Sequence, residues 1–209
     1  KAGIKVDDVI LNFNGKDISQ VGMMSDLVAE TSVESKVDVI ILQRGSVKRI
    51  TLVVPKLPKE QPVDLFEQAK NGDSVKFERL KDLSRLGNAD AQGYLARMYL
   101  NGLGGVKQDY TESLFWARKS AEQMNAKGQL ILGMLYVSGA GVPKSVADGL
   151  KWILKAAEQE DAEAQSFLGS MYAGGTSVSK NEVEAERWFR KAAEQGDDYA
   201  KSSLRVMGK

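Results

Sequence analysis

The chain has 209 residues, 43% hydrophobic and 27% charged, with 29 basic residues against 28 acidic ones and a formal charge of +1; that is enough chain for one large or two small cores. Near neutrality without a Lys/Arg block gives no electrostatic ground for a nucleic-acid or anionic-membrane partner, no apolar run reaches the roughly 20 residues of a spanning helix, and no signal-peptide pattern opens the chain. There is neither cysteine nor histidine, which excludes disulfides, thiolate or histidine metal sites, and Ser-His-Asp or Cys-His catalysis within these residues. Adjacent carboxylates at Asp7 and Asp8 and at Asp197 and Asp198 point in different directions on a helix or strand, so they read as turn and cap residues. No catalytic residue, metal ligand or cofactor is assigned.

Residues 1–55 follow the order β, α, β, β. An imperfectly alternating run, Val6 to Phe13, meets Asn14-Gly15, a strong hairpin-turn signal. Met23, Met24, Leu27 and Val28 then recur at helical spacing within 21–31, and β-branched runs at 37–42 and 50–54 flank Arg44-Gly45, which predicts two strands joined by a tight turn. Residues 56–63, with Pro58 and Pro62 and alternating charge, read as a stiff linker and domain boundary. Residues 64–209 read as helical throughout, beginning with a degenerate helix pair at 64–70 and 74–85 that caps a stack.

From Asn88 onward one phrase is written three times. Trp116, Trp152 and Trp188 are spaced by 36 and 36 residues, and Tyr99, Tyr136 and Tyr172 by 37 and 36. A fixed period in this range marks a solenoid, since one helix pair buries its apolar face only against the next. The copies run about 88–124, 125–160 and 161–196, with the start of a fourth at 197–209. Asn88, Asn125, Asp161 and Asp197 stand where N-caps of first helices belong. Gln92-x-x-Leu95-Ala96-x-x-Tyr99 and its equivalents put one face together. The recurring small position, Ala96, Gly133 and Gly169, implies close approach of a neighbouring helix, because a mid-helix glycine costs about 1 kcal/mol. The small-residue stripe around each tryptophan predicts seven or eight antiparallel helices in 64–209, with all three indoles mostly buried between helix pairs. The Lys and Arg residues of the second helices fall away from that stripe, as on a solvated outer face.

Leu168-Gly169-Ser170-Met171-Tyr172 followed by Trp188-Phe189-Arg190-Lys191-Ala192-Ala193-Glu194-Gln195 resembles the Sel1-like subfamily of tetratricopeptide-type repeats. Ala96, Ser120, Met124 and Glu160 depart from its pattern without breaking it. The resemblance implies a mostly α protein, a right-handed α-solenoid of antiparallel helix pairs that acts as a scaffold for protein or peptide partners held on its concave, first-helix side. First-helix positions not spent on packing are then candidates for the partner surface: Tyr94, Arg97, Leu130, Met134, Val137 and Ser170. Leu130, Met134 and Val137 form an apolar strip expected on the open face or against a neighbouring element.

Ala2-Gly3-Ile4-Lys5-Val6 with Asp8-Val9-Ile10-Leu11, Asn14-Gly15-Lys16 and Arg44-Gly45 resemble the C-terminal half of a bacterial-type PDZ domain, a small α/β module. The family's carboxylate-binding loop and ligand-pairing strand are expected before Lys1. Met23, Met24, Leu27 and Val28 are then peptide-groove lining or ordinary core. Together the two resemblances favour the periplasm or cell envelope, and imply a non-enzymatic interaction scaffold or, alternatively, the regulatory C-terminal part of a trypsin-like envelope protease.

Overall fold

The structure is a computed structural model, and it describes residues 9–13, 16–17, 36–43, 46–53, 60–175 and 178–209. The chain divides into two compact units, Lys1–Lys59 and Glu60–Lys209. In the first, β1 (Val9–Phe13), β2 (Lys16–Asp17), β3 (Lys36–Gln43) and β4 (Ser46–Val53) form an antiparallel sheet in the order β2-β1-β3-β4. Alternation on β3 puts Val39 and Ile41 on the buried face. Across β3 and β4 the register runs from Lys36 opposite Val53 to Gln43 opposite Ser46, as a two-residue connection demands. β1 carries a register shift between Ile10 and Asn12, which is why its alternation in sequence is imperfect. The expected helix at 21–31, and with it Met23, Met24, Leu27 and Val28, lies outside the described residues.

The second unit holds nine α-helices among the described residues, rather than seven or eight: α1 (Pro62–Lys70), α2 (Ser74–Arg85), α3 (Ala89–Asn101), α4 (Tyr110–Glu122), α5 (Ala126–Ser138), α6 (Val146–Glu158), α7 (Ala162–Gly174), α8 (Glu182–Glu194) and α9 (Asp198–Val206). Both halves of the degenerate pair are full helices, and Pro62 opens α1 instead of closing a linker, since a first-turn proline loses no hydrogen bond. Each first helix of a copy starts at its expected cap. Asn88 accepts from the Ala91 amide at 2.9 Å, Asn125 from Lys127 at 3.1 Å, Asp161 from Ala164 at 2.9 Å and Asp197 from Ala200 at 2.6 Å. The second helices are capped too, by Asp109, Ser145 and Asn181.

Within each copy the close approach foreseen at Ala96, Gly133 and Gly169 is made against the residue after the tryptophan. A methyl group on Gly133 would lie 2.5 Å from Ile153 Cγ1, and one on Gly169 would lie 2.7 Å from Phe189 Cδ1. Where the small residue is Ala96, the position after the tryptophan is Ala117, in the same core cluster. Ala117, Ile153 and Phe189 are thus among the buried members of the second helices, at 0%, 0% and 2% exposure. Of the indoles only Trp188 is fully buried; Trp116 and Trp152 are partly exposed. All three indoles are mostly buried, as expected, with Trp116 and Trp152 packed at the edge of a core cluster and Trp188 inside one. The neighbouring position supplies the core contact, and the indole lies at the rim under its own polar neighbours: Trp116 Nε1 donates to Glu112 at 3.0 Å, and Lys155 Nζ stands 4.3 Å above the Trp152 ring.

Candidate functional site

A set of buried amides stitches the copies together. Gln92, Gln129 and Gln165 are only 2–3% exposed, yet each has its carbonyl satisfied by the glutamine that ends the second helix of the same copy, Gln123, Gln159 and Gln195, at 2.8, 2.7 and 2.9 Å. Gln92 Nε2 donates to the Ser84 carbonyl of the preceding pair at 2.9 Å, and Gln165 Nε2 to Ala157 at 3.1 Å. A buried amide stays only where both ends are paired, so these residues are committed to the scaffold.

What remains at least partly open on the first helices is the row pattern 90, 127, 163; then 94 and 167, the intervening Ile131 being buried; then 97, 134, 170; then 101, 138, 174. Arg97 of α3 makes an ion pair with Glu163 of α7, two copies along. Packed helix axes are about 8–10 Å apart, and side chains that must pass over the intervening α5 meet only if the row of first helices bends toward them.

Tyr94, Arg97, Met134 and Ser170 stand on these rows. Tyr94 stacks on Phe66 of α1, ring centroids 4.7 Å apart and 22° between planes, and Lys127 Nζ of α5 lies 5.3 Å from its centroid. Burial, chiefly, and then the Asp90 carboxylate raise the Tyr94 phenol above its ordinary pKa. Ser170 Oγ contacts the Ser166 carbonyl at 3.0 Å and the Tyr199 hydroxyl at 3.3 Å. Met134 is half-buried against two core clusters, one shared by copies one and two and the other by copies two and three.

The proposed apolar strip does not stand open. Leu130 is 0% exposed in the core with Ala157, Ala164 and Leu168. Val137 lies where a methyl on Gly149 would meet its Cγ2 at 2.6 Å, so it packs on the second helix of its own copy. Gly93, Leu130 and Ser166 face the next copy, as the 2.9 Å from a notional Gly93 methyl to Lys127 Cβ shows. Their variation across copies reflects neighbour-to-neighbour fit. Of the rows that do face solvent, that of Arg97, Met134 and Ser170 coincides with one singled out from the sequence, whereas Lys127, Glu163, Phe167 and Tyr199 are not among the residues singled out there. The alternation in exposure from Asp90 to Asn101 at three- and four-residue steps would have found them.

Among the described residues no group of acidic side chains is placed to hold a metal ion, and no helix is long and apolar enough to cross a membrane.

The family model for the Sel1 repeat matches residues 89–123, 126–161 and 162–197, together more than half of the chain. A Sel1 repeat protein from Oxalobacter formigenes has a crystal structure that is 32% identical, with a TM-score of 0.57, covering 71% of this chain and 60% of that one. A protective antigen of uropathogenic Escherichia coli strains, described as displaying an SLR fold, is 28% identical with a TM-score of 0.55, covering 71% of this chain and 36% of that one. Among curated proteins, the ERAD-associated E3 ubiquitin-protein ligase component HRD3A of Arabidopsis thaliana is 28% identical over 82 residues, 39% of this chain and 12% of that protein. A probable periplasmic serine endoprotease DegP-like of Chlamydia pneumoniae is 28% identical over 68 residues, 32% of this chain and 14% of that protein. The matches to these two curated relatives thus span only a small part of either one's length.

Proposed function

We propose, from the premise that this chain belongs to the Sel1 repeat family, that it is a non-enzymatic scaffold which holds a partner protein or peptide along the concave row of its first helices. Sel1 repeats mediate protein–protein interactions, and the observation that favours this face is the division of labour on it. The glutamines, glycines and leucines of each first helix are spent on packing. Asp90, Tyr94, Arg97, Lys127, Met134, Glu163, Phe167, Ser170 and Tyr199 keep part of their surface open to solvent and differ from copy to copy. A surface that carries side-chain variety on a rigid frame is suited to recognition.

A photo-crosslinking amino acid placed at Ser170 or Asp90, and in parallel at Lys151 or Arg187 on the second helices, tests this. Crosslinks to a partner concentrated at the first two positions are expected. Crosslinks concentrated at Lys151 and Arg187 would move the interaction to the outer face and overturn the proposal.

The similarity to a periplasmic DegP-like protease favours a second reading, in which these residues form a regulatory part of an envelope protease and the sheet of residues 9–53 belongs to a PDZ-type peptide module. In that case a protein that also carries the family's carboxylate-binding loop and pairing strand binds free C-terminal peptides saturably, residues 1–209 alone bind them little, and binding is lost when the peptide carboxylate is amidated. Absence of any such difference removes this reading.

A further inference from the structure

Across α1, α3 and α5 the concave side carries a sandwich of rings and cations. Lys70 Nζ lies 5.5 Å from the Phe66 centroid, Phe66 stacks on Tyr94, and Lys127 Nζ lies 5.3 Å from the Tyr94 centroid. One turn beyond Tyr94 stands Arg97, whose guanidinium already holds a carboxylate. That carboxylate is brought by Glu163 from two copies away, with its side chain 52% exposed. Among the described residues Lys127 makes no ion pair, whereas Lys70 has Glu67 at 2.6 Å and Asp90 is occupied by Asn125 Nδ2 at 2.9 Å.

Resting on the concave-face reading above, the geometry points to an acidic peptide segment as the partner, with Arg97 and Lys127 as its carboxylate anchors on either flank of Tyr94 and Glu163 as an internal occupant that the partner displaces. A guanidinium presents a fixed fork of donors to a carboxylate, and such charge-assisted bonds are the stronger kind. The Glu163 carboxylate shows that the fork faces the groove and takes an anion there. Because Glu163 is half open to water, its hold on Arg97 is weak, so an incoming carboxylate exchanges for it at small cost. Tyr94, held between Phe66 and Lys127, keeps the two cations apart and leaves the peptide its ring edge and hydroxyl. Removing Glu163 therefore strengthens partner binding, whereas removing Arg97 weakens it. A bridge with a merely structural role would give losses in both cases.

The test is selection with the full chain from a library of random dodecapeptides, displayed so that only Asp and Glu side chains supply carboxylates, followed by affinity measurement on the enriched peptides as free amides. Acidic peptides are expected, with affinity reduced roughly tenfold or more by Arg97→Gln, reduced by Lys127→Gln, and raised about threefold by Glu163→Gln. Circular dichroism confirms that each variant keeps its helices. Enriched peptides without Asp or Glu, insensitive to Arg97→Gln but lost with Tyr94→Ala or Met134→Glu, would overturn the acidic partner while leaving the concave face in place. No enrichment, or peptides indifferent to every concave substitution, would remove the concave-face reading itself.

Discussion

Replacing Gly169 by alanine sets two effects against each other. Alanine in a helix interior is worth about 1 kcal/mol over glycine, so propensity alone predicts a more stable protein. The new methyl would sit 2.7, 2.8 and 3.0 Å from Cδ1, Cε1 and Cγ of Phe189, where ordinary carbon contacts need about 3.5–4.0 Å. Phe189 is 2% exposed and has no room to swing away. Overpacking of this kind costs about 2–3 kcal/mol, which leaves Gly169→Ala destabilised by about 1–2 kcal/mol in total. Phe189→Ala alone costs about 3–5 kcal/mol, but in that background the obstacle is gone and Gly169→Ala regains its helical advantage. The double-mutant cycle should then show a coupling of about 2–3 kcal/mol. Urea unfolding of the four proteins followed by circular dichroism reads it directly. If Gly169→Ala raises the midpoint in the otherwise unaltered protein, the two helices are not in close contact at this position, and the account of small residues in the repeat is wrong.

Met124 and Glu160 occupy the left-handed conformation, φ 60° and 63°, at the repeat position that Gly196 holds at 98°; Glu160→Gly and Met124→Gly should each stabilise by about 0.5–1 kcal/mol, the strain relieved less the entropy glycine adds, as a rise in urea midpoint. Trp188→Ala should cost about 3–5 kcal/mol, and Trp116→Ala or Trp152→Ala only about 1–2 kcal/mol, because a half-buried indole has less area to lose; equal losses at all three would mean the rim tryptophans are core after all. Gln165→Ala, which strips the partners from the Gln195 amide and the Ala157 carbonyl, should cost about 1–3 kcal/mol, measurable in the same unfolding assay. The Tyr94 phenol is raised above its unfolded value by burial and then by Asp90, so the stability it lends is complete below the unfolded pKa near 10 and is lost as pH rises through the folded value. The unfolding midpoint of the native chain should accordingly fall more steeply in alkali than that of Tyr94→Phe, and identical slopes would remove this linkage.

The repeat was legible because stacking forces each copy to solve the same problem. The caps at Asn88, Asn125, Asp161 and Asp197, the small residues at 96, 133 and 169 and the left-handed glycines at 102, 139 and 175 all follow from local rules that read the same way three times. Less legible was which residue of each second helix goes deepest. A tryptophan is the largest residue of its helix, and size suggested burial. Yet the stripe that enters the core is set by the helical phase of Ala117, Ile153 and Phe189, one residue further on, and that phase shows only when the three copies are read against their small partners. For Leu130 the sequence left an open strip and packing on a neighbouring element as alternatives, since an apolar residue on a first helix has two places to be buried: against its own second helix or against the next copy.

That distinction also separates the packing positions from those left for recognition. Where a side chain meets another within the stack, a change in one copy is answered in the same copy: Ala96 faces a small Ala117, and the two glycines face Ile153 and Phe189. The row Asp90, Lys127, Glu163 and Tyr199 is held more loosely, by polar and ring contacts from Asn125, Tyr94, Arg97 and Ser170 that leave each side chain partly open to solvent. The tie that skips a copy is oblique, from Arg97 to Glu163, and such a half-exposed ion pair adds little to stability. A solenoid needs only neighbour contacts to hold its shape, so a bridge that skips a copy contributes little to that task. It does fix where a guanidinium and a carboxylate stand on the concave face, which is a constraint that matters to whatever binds there.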